Sequence, residues 1–221
     1  MANILIATGN AHKFQEIEAI MGKFADLSLN LVYLDKNYKI EIIEDRETYE
    51  ENAKVKVEGY LKFLEENPEL KAELNLDFIL SEDSGLEVDC LGGEPGLFTA
   101  RYAGENASDA KNIEKLLKTM ALKKECSENR RAKFVCHACL YDIKKNSFEF
   151  FYGELTGLIA KEISGTKGFG YDPVFIVPEY NKTVAQIAAE EKNAISHRAV
   201  AFGKVAEAVK TNYAVTTNLK R

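Results

Sequence analysis

Residues 2–24 read ANILIATGNAHKFQEIEAIMGKF. The first seven are almost unbroken apolar sequence, the signature of a short strand buried on both faces. Gly9-Asn10 ends that run as a turn. From there Phe14, Ile17, Ile20, Met21 and Phe24 recur at helical spacing, so a helix is expected over 11–24. Strand, tight turn and helix in 23 residues is the opening of a layered α/β fold.

The rest of the chain extends that pattern. Short strands are expected over 27–33 and 38–43. Thr48 and Glu51 form a T-x-x-E capping box. The helix it starts runs to about Glu66, with Tyr49, Ala53, Val57, Tyr60, Leu61 and Leu64 on one stripe. Pro68 forbids much continuation, and 67–77 read as irregular or a short helix. Residues 78–89, FILSEDSGLEVD, read as two strands, Phe78–Glu82 and Leu86–Asp89, with Gly85 permitting a sharp turn between them. LGGEPG (91–96) is a turn, and Ser108 caps a helix through Met120. Residues 131–143 and 147–155 are strands of a hairpin closed by Lys144-Lys145-Asn146. A Gly-rich loop, GTKGFGYDP, spans 165–173. Thr183 and Gln186 form a second capping box with a helix of about ten residues behind it. Ser196 caps the last helix, which carries Phe202, Val205 and Val209. The fold class is α/β, with a long mixed sheet flanked by helices, and 1–221 form a single domain.

The chain has 221 residues, 46% of them hydrophobic, and a net charge of −6. An acidic chain lacks the basic surface that nucleic-acid binding needs, so no nucleic acid is expected as partner. The N-terminal apolar stretch has no basic leader and is too short to cross a bilayer, so no membrane is expected and the location is read as cytoplasmic. Four cysteines occur: Cys90, Cys126, Cys136 and Cys139. A zinc site needs a second pair at matching spacing, and none exists. In an alternating strand an offset of three puts Cys136 and Cys139 on opposite faces. All four are read as reduced structural thiols.

Four clusters could carry chemistry. In TGNAHK (8–13), a turn opens onto a helix N-terminus, which attracts anions. Gly9 allows close backbone approach, Asn10 caps or donates, and Lys13 adds charge. The plainer alternative is an Asn cap and a solvated lysine. The second cluster is Glu44 with Asn52 and Lys56, the latter two one helical turn apart; an ordinary polar helix face would look the same. The third is Glu82 and Asp83 at a strand end, hard oxygen ligands suited to Mg²⁺ together with phosphates, or else a solvated acidic turn. The fourth joins GFGYDP (168–173) to EKNAISHR (191–198). There Phe169 offers a ring for stacking, Asp172 an acceptor, and Lys192, His197 and Arg198 donors. A core phenylalanine and a surface His-Arg pair are the alternative.

The segments ATGNAHKFQEI (7–17), TYEENAKVK (48–56), EDSGLEVDCLGGEPGLFTARYAG (82–104), GTKGFGYDPVF (165–175) and EKNAISHRAVA (191–201) span nearly the whole chain. In that order they resemble the inosine triphosphate pyrophosphatase, or Ham1, family. The resemblance implies a two-lobed fold around the mixed sheet, with a central active-site cleft. It implies hydrolysis of ITP, dITP and XTP to the monophosphate and pyrophosphate, with Mg²⁺ as cofactor and a homodimer as the assembly. The role implied is removal of deaminated purines from the nucleotide pool. By position, Asp83 would be the catalytic carboxylate, and Glu44 and Asp83 the metal ligands. Thr8, Gly9, Asn10, Lys13, Lys56 and Ser84 would meet the phosphates. Phe169 would stack on the base, with Gly170, Tyr171, Asp172, Lys192, His197 and Arg198 around it. Two departures stand out. Glu82 replaces the first Asp of an Asp-Asp-Ser-Gly motif, and the 62–77 stretch is longer than usual. Two other readings compete: a pyrophosphatase of pyrimidine or modified triphosphates, against which EKNAISHR speaks, and a nucleotide-binding regulator without chemistry.

Overall fold

Strand β1 (Ala2–Ile6) is buried along both faces: Ile4, Leu5, Ile6 and Ala7 have no exposed surface. In the computed structural model, residues 1–24, 27–34, 38 and 40–218 are described, with side chains through 212. In chain order α1 (Ala11–Met21) is followed by β2 (Leu29–Tyr33), α2 (Tyr49–Glu66), α3 (Pro68–Leu74), β3 (Phe78–Val88) and β4 (Pro95–Gly96). Next come α4 (Asp109–Leu122), α5 (Glu125–Glu128), β5 (Arg131–Asp142), β6 (Ser147–Ile159), β7 (Phe175–Val177), β8 (Lys182–Thr183), α6 (Ala189–Ile195) and α7 (His197–Asn218). The strands form one mixed sheet in the order β2-β1-β3-β5-β6-β7-β8, with β4 on β3. Strands β2 and β3 flank β1 in parallel, whereas β7 runs antiparallel to both β6 and β8.

The chain divides into two compact units. The first comprises 1–83, 136–153 and 198–221, and the second 84–135 and 154–197. The first unit shows how period-2 strands build two cores at once. Ile4, Ile6, Phe78, Leu80 and Cys136 pack with Ile17, Ile20 and Met21 of α1 and Phe202, Val205 and Val209 of α7. Their strand neighbours Leu5, Ala7, Ile79 and Cys139 face the other way, against Ala53, Val57, Tyr60 and Leu64 of α2. Cys136 and Cys139 therefore lie on opposite faces, as their spacing requires. In the second unit one core joins Leu86, Val88, Phe134, Ile159 and Phe175 of the sheet to Ile113, Leu116 and Met120 of α4.

Helix ends follow the capping residues. Asn10 Oδ1 accepts from the amides of His12 and Lys13, and α1 stops at Met21, before Gly22. Thr48 accepts from Glu51 N at the start of α2, and Ser108 from Lys111 N at the start of α4. Pro68 sits in the first turn of α3, so 67–77 hold a short helix.

Several expectations are corrected. FILSEDSGLEV is one continuous strand of 11 residues, and Gly85 does not turn it. Its backbone pairs onward with Pro95 and Gly96, which keeps it extended. Of the strand expected over 38–43, residue 39 lies outside the described residues and 40–43 form no strand. The alternation there is real, but Ile40 and Ile42 pack into the α2-side core, where Ile42 fills the space above Gly59. The Thr183 capping box is present, yet it opens a 3-10 turn over Val184–Gln186, and the helix behind it is only seven residues long. Cys90 and Cys126 form a disulfide, contrary to the reading of four thiols, while Cys136 and Cys139 are free and buried. A 3-10 turn at Asp89–Leu91 and the short helix α5 bring the pair together. Sequence spacing held no sign of that approach, and persistent disulfides are characteristic of oxidising compartments.

The disulfide closes a loop with a sequence separation of 36 residues. Loop-closure entropy gives such a bond about 2–4 kcal/mol. Reduction should lower the urea midpoint accordingly, and an unchanged midpoint with and without dithiothreitol would mean that the bond does not form in solution.

Candidate active site

Glu82 and Asp83 are neighbours on β3 and therefore point to opposite faces of the sheet. Glu82 continues the row Phe78, Leu80 toward α1 and α7. Asp83 continues the row Ile79, Ser81 toward α2. Ser81 Oγ donates to Ala53 O at 2.5 Å and ties this part of β3 to α2.

Glu82 is nearly inaccessible, its side chain 1% exposed. Its Oε1 lies 2.7 Å from Lys13 Nζ and 3.5 Å from Arg198 Nη2. Oε2 accepts from the Cys136 thiol at 3.7 Å. Arg198 Nη1 lies 3.0 Å from Glu16 Oε2 on α1. Burial alone would push the Glu82 carboxyl up, but Arg198, Lys13 and Lys56 outweigh burial and hold it well below the usual carboxylate range. Burial, with Glu82 adding to it, pushes the Cys136 thiol well up, so it stays protonated and able to donate.

On the other face Lys56 is the hub. Its side chain is 8% exposed, with Nζ 2.5 Å from Glu44 Oε2 and 3.5 Å from Asp83 Oδ1. The same ammonium donates to Glu82 O at 2.8 Å. Burial works against its charge; Asp83, Glu44 and Glu82 overcome that and raise its pKa. Asn52 Nδ2 donates to Asp83 Oδ2 at 3.2 Å. Two carboxylates thus meet around one cation, at a site made from α2, the middle of β3 and the segment before α2. That is the donor set a hard divalent cation takes when phosphates and waters complete its shell. Among the described residues, no group of three or more His, Cys, Asp or Glu is arranged to hold a metal by itself.

In the turn before α1 the Asn cap, the plainer of the two readings, is formed. Asn10 Oδ1 occupies the amides of His12 and Lys13, and Thr8 Oγ1 accepts from Asn10 N at 3.2 Å. Gly9 has open space where a Cβ would project, so close approach to its backbone is free.

In the second unit the Gly-rich loop is organised by Asp172, which is buried. Its Oδ2 accepts from Phe169 N at 3.1 Å and from Lys192 Nζ at 2.7 Å. A Cβ on Gly168, at φ +77°, would lie 2.0 Å from that oxygen, so only glycine fits there. The Lys192 ammonium stands 4.7 Å from the centre of the half-buried Phe169 ring and covers one of its faces. Gly170 N donates to Asp109 Oδ2 at 2.6 Å. Tyr171 is buried, with its hydroxyl donating to Thr99 O at 3.0 Å. His197 stacks on Phe134, ring centres 5.1 Å apart. Asp172, Lys192, His197 and Phe134 line a cavity of about 10 Å³, the room of one water.

The expected residues thus fall into two sets. Asn10, Lys13, Glu44, Lys56 and Asp83 belong to the first unit, and Ser84, Phe169, Gly170, Tyr171, Asp172, Lys192 and His197 to the second. The chain leaves the first unit after Asp83, returns to it for 136–153, and returns again between His197 and Arg198. The Arg198 guanidinium, expected beside the base, holds Glu16 and Glu82. The Gly170 amide and the Tyr171 hydroxyl, expected near the base, are engaged by Asp109 and Thr99. Sequence reading missed Glu16 and Asp109. Asp109 follows the Ser108 cap and reads as an ordinary first-turn acid.

The family model of the Ham1 family matches residues 4–208. The chain belongs to the Ham1 family. Among curated relatives it is 42% identical over 212 residues to a dITP/XTP pyrophosphatase of Clostridium perfringens, covering 95% of this chain and 98% of that one. A dITP/XTP pyrophosphatase of Listeria monocytogenes is 41% identical, with 91% and 92% covered. Among solved structures, the Staphylococcus aureus Ham1 protein superposes with a TM-score of 0.76 at 36% identity, over 95% of this chain and 98% of that one. A HAM1 protein from Coxiella burnetii gives 0.79 at 31% identity, over 96% and 100%. The α/β fold with its long mixed sheet is therefore the Ham1 fold. Among the described residues no helix is long and apolar enough to cross a membrane.

Removing one partner of a buried ion cluster leaves the others uncompensated, at about 3–5 kcal/mol. Glu82→Gln should lose that much stability in urea denaturation. Its pH signature has a fixed sign. The folded carboxyl titrates below its unfolded value of about 4.3, so its contribution is complete above that pH and is lost as pH falls through the folded value. Below about pH 4.3 the wild type should therefore lose stability more steeply than Glu82→Gln; parallel curves would refute the role.

Proposed function

We propose that this Ham1 protein is a Mg²⁺-dependent pyrophosphatase of deaminated purine nucleoside triphosphates, converting ITP, dITP or XTP to the monophosphate and pyrophosphate. The observation that carries this reading is the convergence of Glu44 and Asp83 on Lys56. A triphosphate needs cations for its oxygens and a carboxylate for the attacking water, and that constellation supplies both. The names of relatives at about 40% identity support the same substrate class.

Asp83 accepts a proton from a water that attacks the α-phosphorus in line. A new P–O bond forms, the bond from the α-phosphorus to the bridging oxygen breaks, and pyrophosphate leaves with the electron pair. Lys56 and Lys13 offset charge on the phosphate oxygens, and the open backbone at Gly9 admits them closely. Glu44 and Asp83 would hold Mg²⁺, which when bound supplies further charge compensation on those oxygens. Positioning and electrostatics provide most of the acceleration.

Base choice falls to the second unit. Hypoxanthine and xanthine carry oxygen at C6, and adenine carries an amino group there. Donors on Lys192 and His197 are satisfied by the first two and left unpaired by the third, a mismatch that discriminates strongly when buried. With room for one water, the pocket must open before a ring enters. A homodimer belongs to the same reading and rests on the family resemblance.

Pyrophosphate release from ITP tests the activity, and a nucleotide-binding regulator would give none. Asp83→Asn should fold normally and lose roughly two orders of magnitude or more in turnover, and near-normal turnover would exclude Asp83 as the base. ITP and XTP should be hydrolysed well ahead of GTP, ATP, dUTP and dTTP; comparable rates on any of the latter would contradict the selectivity.

A further inference from the structure

Asn52 is buried, 3% exposed, on the flank of α2. Both ends of its amide are engaged. Oδ1 accepts from Arg46 N at 3.0 Å, and Nδ2 donates to Asp83 Oδ2 at 3.2 Å. Lys56, one turn further along α2, approaches the other Asp83 oxygen at 3.5 Å and Glu44 Oε2 at 2.5 Å. Each oxygen of Asp83 therefore has its own donor on one rigid helix. The segment carrying Glu44 is fastened to that helix twice, through Lys56 at Glu44 and through Asn52 at Arg46.

We infer that Asn52 is a positioning residue for the hydrolysis. It fixes the rotation of the Asp83 carboxylate and holds the Glu44 segment in register with it. The inference rests on the role proposed above for Asp83. Packing alone gives no reason for an amide here, because a buried amide costs free energy unless donor and acceptor are both satisfied. A small apolar side chain would serve the core. What an amide adds is one donor and one acceptor back to back, which no apolar or singly functional side chain provides. A carboxylate held by Lys56 alone keeps its freedom to rotate, and small misplacements of a reacting group carry large rate penalties.

The test is a double-mutant cycle on ITP hydrolysis with Asn52→Ala, Asp83→Asn and the double variant, each with its urea midpoint. Asn52→Ala should lower kcat about ten-fold or more, with KM changed less than about three-fold. In the Asp83→Asn background the same substitution should change kcat less than about two-fold, because the group it positions is gone. Equal losses in both backgrounds, or no loss in the wild type, would overturn the inference. Wild-type turnover in Asp83→Asn alone would overturn the reading beneath it, and the inference with it. If Asn52→Ala does not fold, Asn52→Leu answers the question. It keeps a similar size and puts no charge beside Asp83 but loses both donor and acceptor, so kcat should fall about ten-fold or more in the wild-type background and less than about two-fold beside Asp83→Asn. Wild-type kcat in that variant would refute the positioning role.

Discussion

A single buried carboxylate holds the first unit of this protein together at its functional end. Glu82 has almost no access to solvent, yet it is charged, and it stays charged because Lys13 and Arg198 meet it there. Those cations come from α1 and α7, so one anion on β3 fixes the approach of two helices. An ion cluster of this kind contributes less to net stability than its contacts suggest, since desolvation cancels much of the attraction. Its value lies in geometry. The cluster ties α1 and α7 to β3 through the one carboxylate.

The pleat of β3 does the rest. Because successive side chains alternate, the carboxylate next to Glu82 is delivered to the opposite face, where α2 waits with Asn52 and Lys56. Two adjacent acids that look redundant in sequence are thus divided between two faces, one meeting Lys13 and Arg198 and the other Lys56 and Asn52. The second unit repeats the economy with Asp172, whose one oxygen serves both the Phe169 backbone and the Lys192 ammonium, setting the aromatic platform and its cation together. The room left beside Asp172 and Lys192 is that of one water.

Much of this was legible from sequence where the signal is local. The strand-turn-helix of 2–24, the caps at Asn10, Thr48 and Ser108, and the opposed faces of Cys136 and Cys139 all follow from periodicity and short-range hydrogen bonding. What was not legible is set by distant partners. Gly85 reads as a hinge, but pairing of its strand with Pro95 and Gly96 keeps it extended. Ile40 and Ile42 alternate like a strand, but their burial partner is a helix. Arg198 follows His197 in sequence, and its guanidinium meets Glu16 and Glu82, partners from distant parts of the chain. The Cys90–Cys126 bond joins two turns whose meeting no spacing rule foresees. Glu82 looked like a doubtful metal ligand, and only the convergence of three elements shows it as an internal counter-ion.

The chemistry assigned to Asp83 is attack of water on the α-phosphorus with pyrophosphate departing intact. Hydrolysis of ITP in ¹⁸O-labelled water, read by mass spectrometry or ³¹P NMR, tests this most directly. One labelled oxygen should appear in the monophosphate and none in the pyrophosphate. Label in the pyrophosphate, or release of labelled orthophosphate, would place the attack at another phosphorus and contradict the role given to the Glu44–Lys56–Asp83 constellation.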